Sequence, residues 1–222
     1  MVEIAPTLPL VFFPGAGGRV EHLRPIAERL ARRRQTRICE YPGLGGVAPD
    51  PNLSSLEDLR RHVLAGLPER FDLVTMSMGG VLALQTALQE PERIRKLTLM
   101  ATSGGVDVSA LGGIDWRDSF RRVQPNAPSW FVADRTDVTP HLAQITHPTL
   151  LIYGDADLIA PPRVGKLLLE KLPNARMEII PDATHDLEID YPDLIAAMIE
   201  AHLRMPDDAD PAAAIVFAPK RG

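Results

Sequence analysis

The feature that most constrains the fold is an alternation of short apolar runs with amphipathic segments of helical period. Six apolar runs read as strands, at residues 8–13, 36–41, 71–76, 97–101, 149–153 and 176–180. Helical patterns cover residues 21–34, 54–67, 78–89, 162–172 and 191–203. Such alternation is typical of parallel strands joined by crossover helices. We therefore predict an α/β protein, a three-layer α/β/α sandwich with a mostly parallel sheet of about six strands.

The length and composition fit one globular domain over residues 1–222. The chain is 45% hydrophobic and 24% charged, enough to build a sizeable core. Residues 103–147, between the fourth and fifth strands, are too long for an ordinary connection, so we predict a short cap or lid insertion there. The tail at 206–222 is rich in Asp, Pro and Ala, and we expect it to be flexible.

The predicted cap holds both tryptophans of a chain that is only 5% aromatic, together with two of its phenylalanines. These are Trp116, Phe120, Trp130 and Phe131. They are candidates for an apolar roof that binds substrate, together with Met76. The alternative is that the rings only anchor the insertion to the body of the protein.

Charge and cysteine content exclude several classes of function. The net charge is −5, so there is no basic field to recruit nucleic acid. Arg32, Arg33 and Arg34 form a short run that we place in the last turn of the first helix, where cations are favoured. Cys39 is the only cysteine, which excludes an internal disulfide.

No cofactor, metal or membrane signature is present in the sequence. The glycines at 15–18 do not form a dinucleotide or phosphate-binding pattern, and no two histidines stand at liganding spacing with a carboxylate. No long apolar stretch or signal peptide is evident, so we expect no transmembrane segment and a cytoplasmic location. The oligomeric state is left open.

The stretch Thr75-Met76-Ser77-Met78-Gly79-Gly80 lies between a predicted strand and a predicted helix. A serine on such a turn can be lifted above the sheet as a nucleophile, provided that small residues allow the strand and helix backbones to approach. Gly79 and Gly80 meet this need, and Thr75 meets it poorly. On its own the stretch also fits a serine that merely caps a helix.

A nucleophilic serine needs a base and an orienting acid, and both residue types follow later strands. Asp155 and Asp157 come after the fifth strand, and His185 comes after the sixth. Functional groups in parallel sheets collect beyond the carboxyl ends of the strands. Among the other histidines, which we interpret as surface or packing residues, His22 lies closest to the first glycine-rich loop.

The order Ser77, Asp157, His185 and the motif Gly154-x-x-Asp157-x-x-x-Pro161 resemble the α/β hydrolases over most of residues 8–204. The resemblance implies that fold, with Ser77, Asp157 and His185 as the catalytic residues. It favours Asp157 over Asp155, with Asp107 a remote third choice. Thr75, Met76 and Thr184 depart from the residues that the family often has at these places.

The resemblance also implies two backbone donors for a developing oxyanion, the N–H groups of Met78 and Ala16. The loop Phe13-Pro14-Gly15-Ala16-Gly17-Gly18 is similar to that of type II thioesterases.

The function that the resemblance implies is that of a serine hydrolase, acting through an acyl-enzyme intermediate on a small-molecule acyl substrate. We expect a carboxylesterase that cleaves an ester with an apolar acyl or alcohol group. One alternative is a thioesterase on acyl-carrier or acyl-CoA substrates. The other is a non-catalytic binding protein that keeps the fold.

Overall fold

A computed structural model describes residues 7–210 of the chain, and six strands within that range form one sheet. The strands are β1 (Leu10–Phe13), β2 (Thr36–Ile38), β3 (Phe71–Met76), β4 (Ile94–Met100), β5 (Thr149–Gly154) and β6 (Ala175–Ile180). Their order is β2-β1-β3-β4-β5-β6, and every neighbouring pair is parallel. The predicted α/β architecture is confirmed.

Helices cover both faces of the sheet. They are α1 (Val20–Leu30), α2 (Leu56–Ala65), α3 (Gly79–Gln89), α4 (Arg117–Val123), α5 (Ser129–Ala133), α6 (Pro162–Lys171), α7 (Leu187–Asp190) and α8 (Pro192–Arg204). Successive residues of a strand face opposite sides. Val11 and Phe13 accordingly join the core beneath α2, α3 and α6, while Leu10 and Phe12 join the core beneath α1 and α8.

The arginine run does not lie where the sequence suggested. Helix α1 ends at Leu30, and residues 31–34 form a turn that leads into β2. The prediction that Arg32, Arg33 and Arg34 occupy the last helical turn is therefore wrong. Arg34 turns inward instead, because the buried carboxylate of Asp72 in β3 lies 3.4 Å from its Nη1.

The segment at 103–147 contains α4, α5 and two short 3₁₀ turns, Ser109–Leu111 and Thr139–Gln144. Its role as a cap stays a prediction. Of the predicted flexible tail, residues 211–222 lie outside the described residues. No helix in the described part of the chain is long and apolar enough to cross a membrane.

The carboxyl edge of the sheet carries unusual backbone geometry. Within residues 7–210, the non-glycine residues with positive φ are Ser77 (50°), Ala101 (45°) and Asp182 (59°), which follow β3, β4 and β6. Helix α3 also comes very close to the end of β1, since a Cβ atom at Gly79 would lie 2.5 Å from the Phe13 carbonyl oxygen. Glycine is needed here because the atoms that a side chain would meet belong to the backbone of Phe13 and Pro14, which cannot move aside as a flexible side chain could.

We predict that Gly79→Ala lowers the free energy of unfolding by about 1–3 kcal/mol, because the added methyl group forces α3 away from the β1 backbone. This loss should appear although alanine is the better helix former. Urea denaturation provides the measurement. A suitable control is Gly17→Ala, whose methyl group would meet only the Arg19 side chain, at 3.4 Å. An equal loss in both variants would contradict the argument.

Candidate active site

Ser77 is fixed on a sharp turn between β3 and α3. Its N–H donates to the Met100 carbonyl at 2.8 Å, and its own carbonyl accepts from the Gly80 N–H at 3.0 Å. The preceding Thr75 is fully buried between β1 and β4. Thr75 is not among the residues with positive φ, so the strained backbone of the turn is confined to Ser77.

Asp157 lies in the loop after β5, and its carboxylate is held from several sides. Oδ1 accepts hydrogen bonds from the N–H groups of Ile159 at 2.8 Å and Ala160 at 2.9 Å. The other oxygen, Oδ2, lies 2.8 Å from Nδ1 of His185. With 2% of its surface exposed, the carboxylate has no freedom to turn elsewhere.

His185 joins the acid to the serine. Its Nδ1 faces Asp157, and its Nε2 lies 3.1 Å from the Ser77 Oγ. When Nδ1–H donates to the carboxylate, Nε2 is the ring nitrogen free to accept the serine proton. The structure thus brings together the three residues that the sequence selected.

The acid and histidine loops are bonded to each other. Ala156 N–H donates to the Ala183 carbonyl at 3.0 Å, and Asp155 Oδ1 accepts from the Asp182 N–H at 2.6 Å. A Cβ at Gly154 would lie 2.1 Å from the Ala183 oxygen, so only glycine allows this approach. Asp155 is therefore engaged in supporting the loop and does not contact the His185 ring.

Asp107, the remaining candidate for the acid, is exposed and caps its own turn by accepting from the Ser109 N–H at 3.0 Å. Within residues 7–210, Asp157 is the carboxylate that hydrogen-bonds to His185.

Of the two predicted oxyanion donors, Met78 follows Ser77 directly in the chain, and Ala16 lines the same pocket as Ser77. Met78 immediately precedes α3, where backbone N–H groups lack intrahelical partners. Ala16 belongs to a loop that is closed by a hydrogen bond from the Gly18 N–H to the Gly15 carbonyl at 2.9 Å. This loop packs on the serine, since a Cβ at Gly15 would lie 3.4 Å from the Ser77 Cβ.

Two cavities of unequal size meet at Ser77 and His185. The small pocket, of about 60 Å³, is also lined by Met78, Val81, Val106 and Phe131. The large pocket, of about 350 Å³, is also lined by Ala16, Met76, Phe120, His22 and Glu188. Trp116 and Ile159 also line both pockets.

Known proteins of similar sequence and structure point to one superfamily. Residues 10–112 match the model of the alpha/beta hydrolase family. The pimeloyl-[acyl-carrier protein] methyl ester esterase of Edwardsiella ictaluri is 29% identical over 86% of this chain and 91% of its own. The protein of the same name from Nitrosomonas europaea is 26% identical over 79% of this chain and 88% of its own.

Among solved structures, a putative lipase from Acinetobacter baumannii has a TM-score of 0.73 at 19% identity, over 89% of this chain and 83% of that one. A thermophilic esterase from Thermogutta terrifontis has a TM-score of 0.71 at 20% identity, over 90% of each chain. The chain has the α/β-hydrolase fold. The predicted fold family is thus confirmed.

The four aromatic residues of the segment at 103–147 form one cluster, in which the Trp116 ring centroid lies 5.2 Å from that of Phe120 and 6.0 Å from that of Phe131. Trp116, Phe120 and Phe131 line the pockets, as expected for residues that bind substrate. Trp130 lines neither pocket, because its ring packs edge-on against Phe131 at 5.9 Å. Trp130 therefore has an anchoring position, and its role in binding substrate stays a prediction.

Glu188 is a polar residue of the site that was not among the site residues predicted from the sequence. It is buried in the wall of the large pocket, with 3% of its surface exposed. Burial, reinforced by the neighbouring charges of Asp186 and Asp190, raises the pKa of its carboxyl group to about 7. Glu188 and Pro192 follow His185 in a stretch similar to the one that carries the base in α/β hydrolases, but burial of Glu188 was not expected, because glutamate side chains are mostly exposed.

The other histidines have the packing or surface positions that we expected, apart from His22 in the large pocket. Nε2 of His202 lies 3.0 Å from the Leu97 carbonyl oxygen, and burial lowers the pKa of its ring to about 3. Nε2 of His147 lies 2.9 Å from the Pro91 carbonyl oxygen. Residues 7–210 contain no group of three or more histidine, cysteine or acidic side chains that could hold a metal ion.

The raised pKa of Glu188 predicts a pH-dependent contribution to stability. Because the folded state favours the protonated carboxyl, stability is lost as the pH rises from the unfolded value of 4.5 through about 7. Glu188→Gln removes this loss, so the variant should gain up to about 3 kcal/mol relative to the original protein between pH 4 and pH 8. Urea denaturation at both pH values measures the difference.

Two comparisons isolate this effect. Asp190→Asn removes an exposed carboxylate from the same helix and should leave most of the pH dependence in place. His202 gives the opposite trend, because stability that depends on its neutral form is lost as the pH falls below 6.5. The His202 contribution is the same in all variants, so it cancels when the stability of a variant is compared with that of the original protein at the same pH. An unchanged pH dependence in Glu188→Gln would rule out the assignment.

Proposed function

We propose that this α/β hydrolase cleaves carboxylic esters with Ser77 as nucleophile, His185 as base and Asp157 as the orienting acid. The observation that carries the proposal is the continuous pair of contacts from Asp157 to His185 at 2.8 Å and from His185 to Ser77 at 3.1 Å. The esterase relatives, which match most of the chain, support the same class of reaction.

The reaction has two stages in this geometry. Ser77 Oγ attacks the ester carbonyl carbon while its proton passes to His185 Nε2, and Asp157 stabilises the imidazolium. The N–H groups of Met78 and Ala16 stabilise the negative charge on the carbonyl oxygen. The alcohol leaves with the proton from His185. Water then attacks the acyl carbon while its proton passes to His185, and the bond from the acyl group to Ser77 Oγ breaks as His185 returns that proton to the serine, which releases the acid.

The unequal pockets suggest an ester with one small and one large group. The small pocket has room for only a few atoms, whereas the large pocket has an apolar wall that includes Met76 and Phe120. The relatives are methyl ester esterases by name, which favours the alcohol as the small group. We therefore propose an ester of a short alcohol with a longer acyl chain, held through burial of its apolar surface.

Two other functions compete with this proposal. A thioesterase would use the same three residues, and its support is the similarity of the loop at 13–18 to type II thioesterases. A non-catalytic binding protein would keep the pockets without turnover, and its support is that Thr75, Met76, Pro14 and Thr184 depart from the residues common in the family. The favourable geometry around Ser77 argues against the second alternative.

The nucleophile can be tested by covalent labelling. We predict that a fluorophosphonate probe modifies the folded protein and that Ser77→Ala abolishes both labelling and ester hydrolysis, because the attacking oxygen is removed. In-gel detection and mass spectrometry measure the modification. A folded protein that resists the probe, or undiminished labelling of Ser77→Ala, would favour the non-catalytic alternative.

The acid can be tested with a matched pair of substitutions. Asp157→Asn should lower kcat by about 10³–10⁴, because the amide favours the wrong histidine tautomer. Asp155→Asn should stay within about tenfold of the original, because its oxygen can still accept from the Asp182 N–H. Steady-state kinetics on one ester decide between them. A larger loss of kcat in Asp155→Asn than in Asp157→Asn would assign the role of orienting acid to Asp155.

The substrate shape can be tested with esters that share one acyl chain. Methyl and ethyl esters of a medium-chain acid should have values of kcat/KM at least about tenfold above those of the butyl and hexyl esters, because a larger alcohol overfills the small pocket. The acyl-CoA of the same acid tests the thioesterase alternative. Faster hydrolysis of octyl acetate than of methyl octanoate would reverse the assignment of the pockets. A preference for the thioester would favour the alternative.

A further inference from the structure

The large pocket contains a second histidine–carboxyl pair that the proposed mechanism does not use. His22 Nδ1 lies 3.5 Å from Glu188 Oε1. His22 comes from α1 and Glu188 from α7, and both residues line the same cavity as Ser77 and Ala16. The pair is therefore available to whatever group occupies that cavity.

One oxygen of the pair has unused hydrogen-bonding capacity. Glu188 Oε2 is buried and has no hydrogen-bond partner among the described residues. A buried polar atom without a partner costs free energy, so native proteins satisfy nearly all of them, often with a ligand or water. The Glu188 side chain is only 4% exposed and that of His22 is 29% exposed, so a group in the cavity meets the pair from the His22 side.

The charges around the pair decide what kind of group would fit. Asp186 and Asp190 lie on the same segment as Glu188, and both raise its pKa, while His185 acts in the opposite direction. Arg19 is at the edge of the cavity, but its side chain is 54% exposed and lies 3.7 Å from Glu21. No permanent cation of the described chain pairs with Glu188, so a second carboxylate would be repelled.

Apolar residues surround the rest of this cavity. Leu23, Met76, Phe120 and Val123 are among them. A ligand ammonium group would lose its hydration against these side chains, whereas a hydroxyl group loses much less. A hydroxyl donates one proton and accepts at its oxygen, which matches an acceptor oxygen beside an imidazole.

We propose that His22 and Glu188 form a subsite that binds a hydroxyl group on the acyl chain of the ester substrate. The subsite rests on the proposed function, because the acyl chain is placed in the large pocket there. It adds a substrate class, the hydroxyacyl esters, to the apolar esters expected from the pocket walls. Glu188 supplies the acceptor, and His22 covers the bound group from α1.

The test compares methyl esters of hydroxyalkanoic acids with the unsubstituted esters of equal length, over a graded series of chain lengths and terminal positions. For at least one length, the hydroxy ester should match or exceed the plain ester in kcat/KM. Glu188→Leu should lower the ratio of hydroxy to plain ester about tenfold. Glu188→Gln keeps an acceptor oxygen and should preserve most of the ratio, and Asp190→Asn should preserve all of it.

Esters with a terminal amino or carboxyl group separate hydrogen bonding from charge. The carboxy esters should be the poorest substrates, and a preference for amino esters over hydroxy esters would overturn the choice of a hydroxyl. The subsite is also rejected if the original protein discriminates against the hydroxy ester at every length, or if Glu188→Leu leaves the ratio unchanged. Should Glu188→Leu fail to fold, Glu188→Ala is measured in its place.

A binding measurement separates this proposal from the proposed function. In Ser77→Ala, the fluorescence of Trp116 in the pocket wall reports binding of the same esters without turnover. Tighter binding of the hydroxy ester, reduced about tenfold when Glu188→Leu is added, supports the subsite even if the protein hydrolyses no ester. Ester hydrolysis without that preference supports the function and rejects the subsite.

Discussion

The left-handed backbone of Ser77 is the constraint around which the site is arranged. A non-glycine residue in this region costs about 1–3 kcal/mol and persists only when the surroundings hold it. Here the Met100 carbonyl holds the Ser77 N–H, and Gly79 lets α3 approach the Phe13 carbonyl. The turn is therefore stabilised by buried strands on both sides. Ser77 at this turn lines both cavities.

The parallel sheet brings residues that follow different strands together around Ser77. The carboxyl ends of β5 and β6 are aligned by their register, in which Gly154 pairs with Ile180. The loops that follow are then joined by backbone hydrogen bonds through Ala183. Asp157 and His185 consequently meet although they are far apart in the chain. This alignment explains why the residue order alone was informative.

Much of the fold and the central residues could be predicted because they depend on local patterns. The strands are short apolar runs, and the helices show their period directly, so both could be read from the sequence. The end of α1 could not be predicted from the sequence, because Arg34 forms an ion pair with Asp72, a buried residue of β3. Such long-range pairing leaves no periodic signal in the sequence.

The lining of the cavities was predictable only in part, for the same physical reason. The aromatic residues were recognised by their concentration between the fourth and fifth strands, but which face of each ring meets a cavity depends on packing among them. The Trp130 ring packs on Phe131, so it does not reach either cavity. His22 and Glu188 lie at opposite ends of the chain and meet only because α1 packs against α7 and α8 in the core that contains Leu23 and Leu187.

The carboxyl groups of Asp157 and Glu188 differ in how many of their oxygens have hydrogen-bond partners, and this difference indicates different roles for the two residues. Asp157 has partners for both oxygens, so it is committed to orienting His185. Glu188 lies three residues beyond His185 in the chain, yet one of its oxygens has no partner in the described chain. Retaining such a group in an apolar wall lowers stability at neutral pH, as its raised pKa indicates. A group that lowers stability in this way is expected where it meets a ligand.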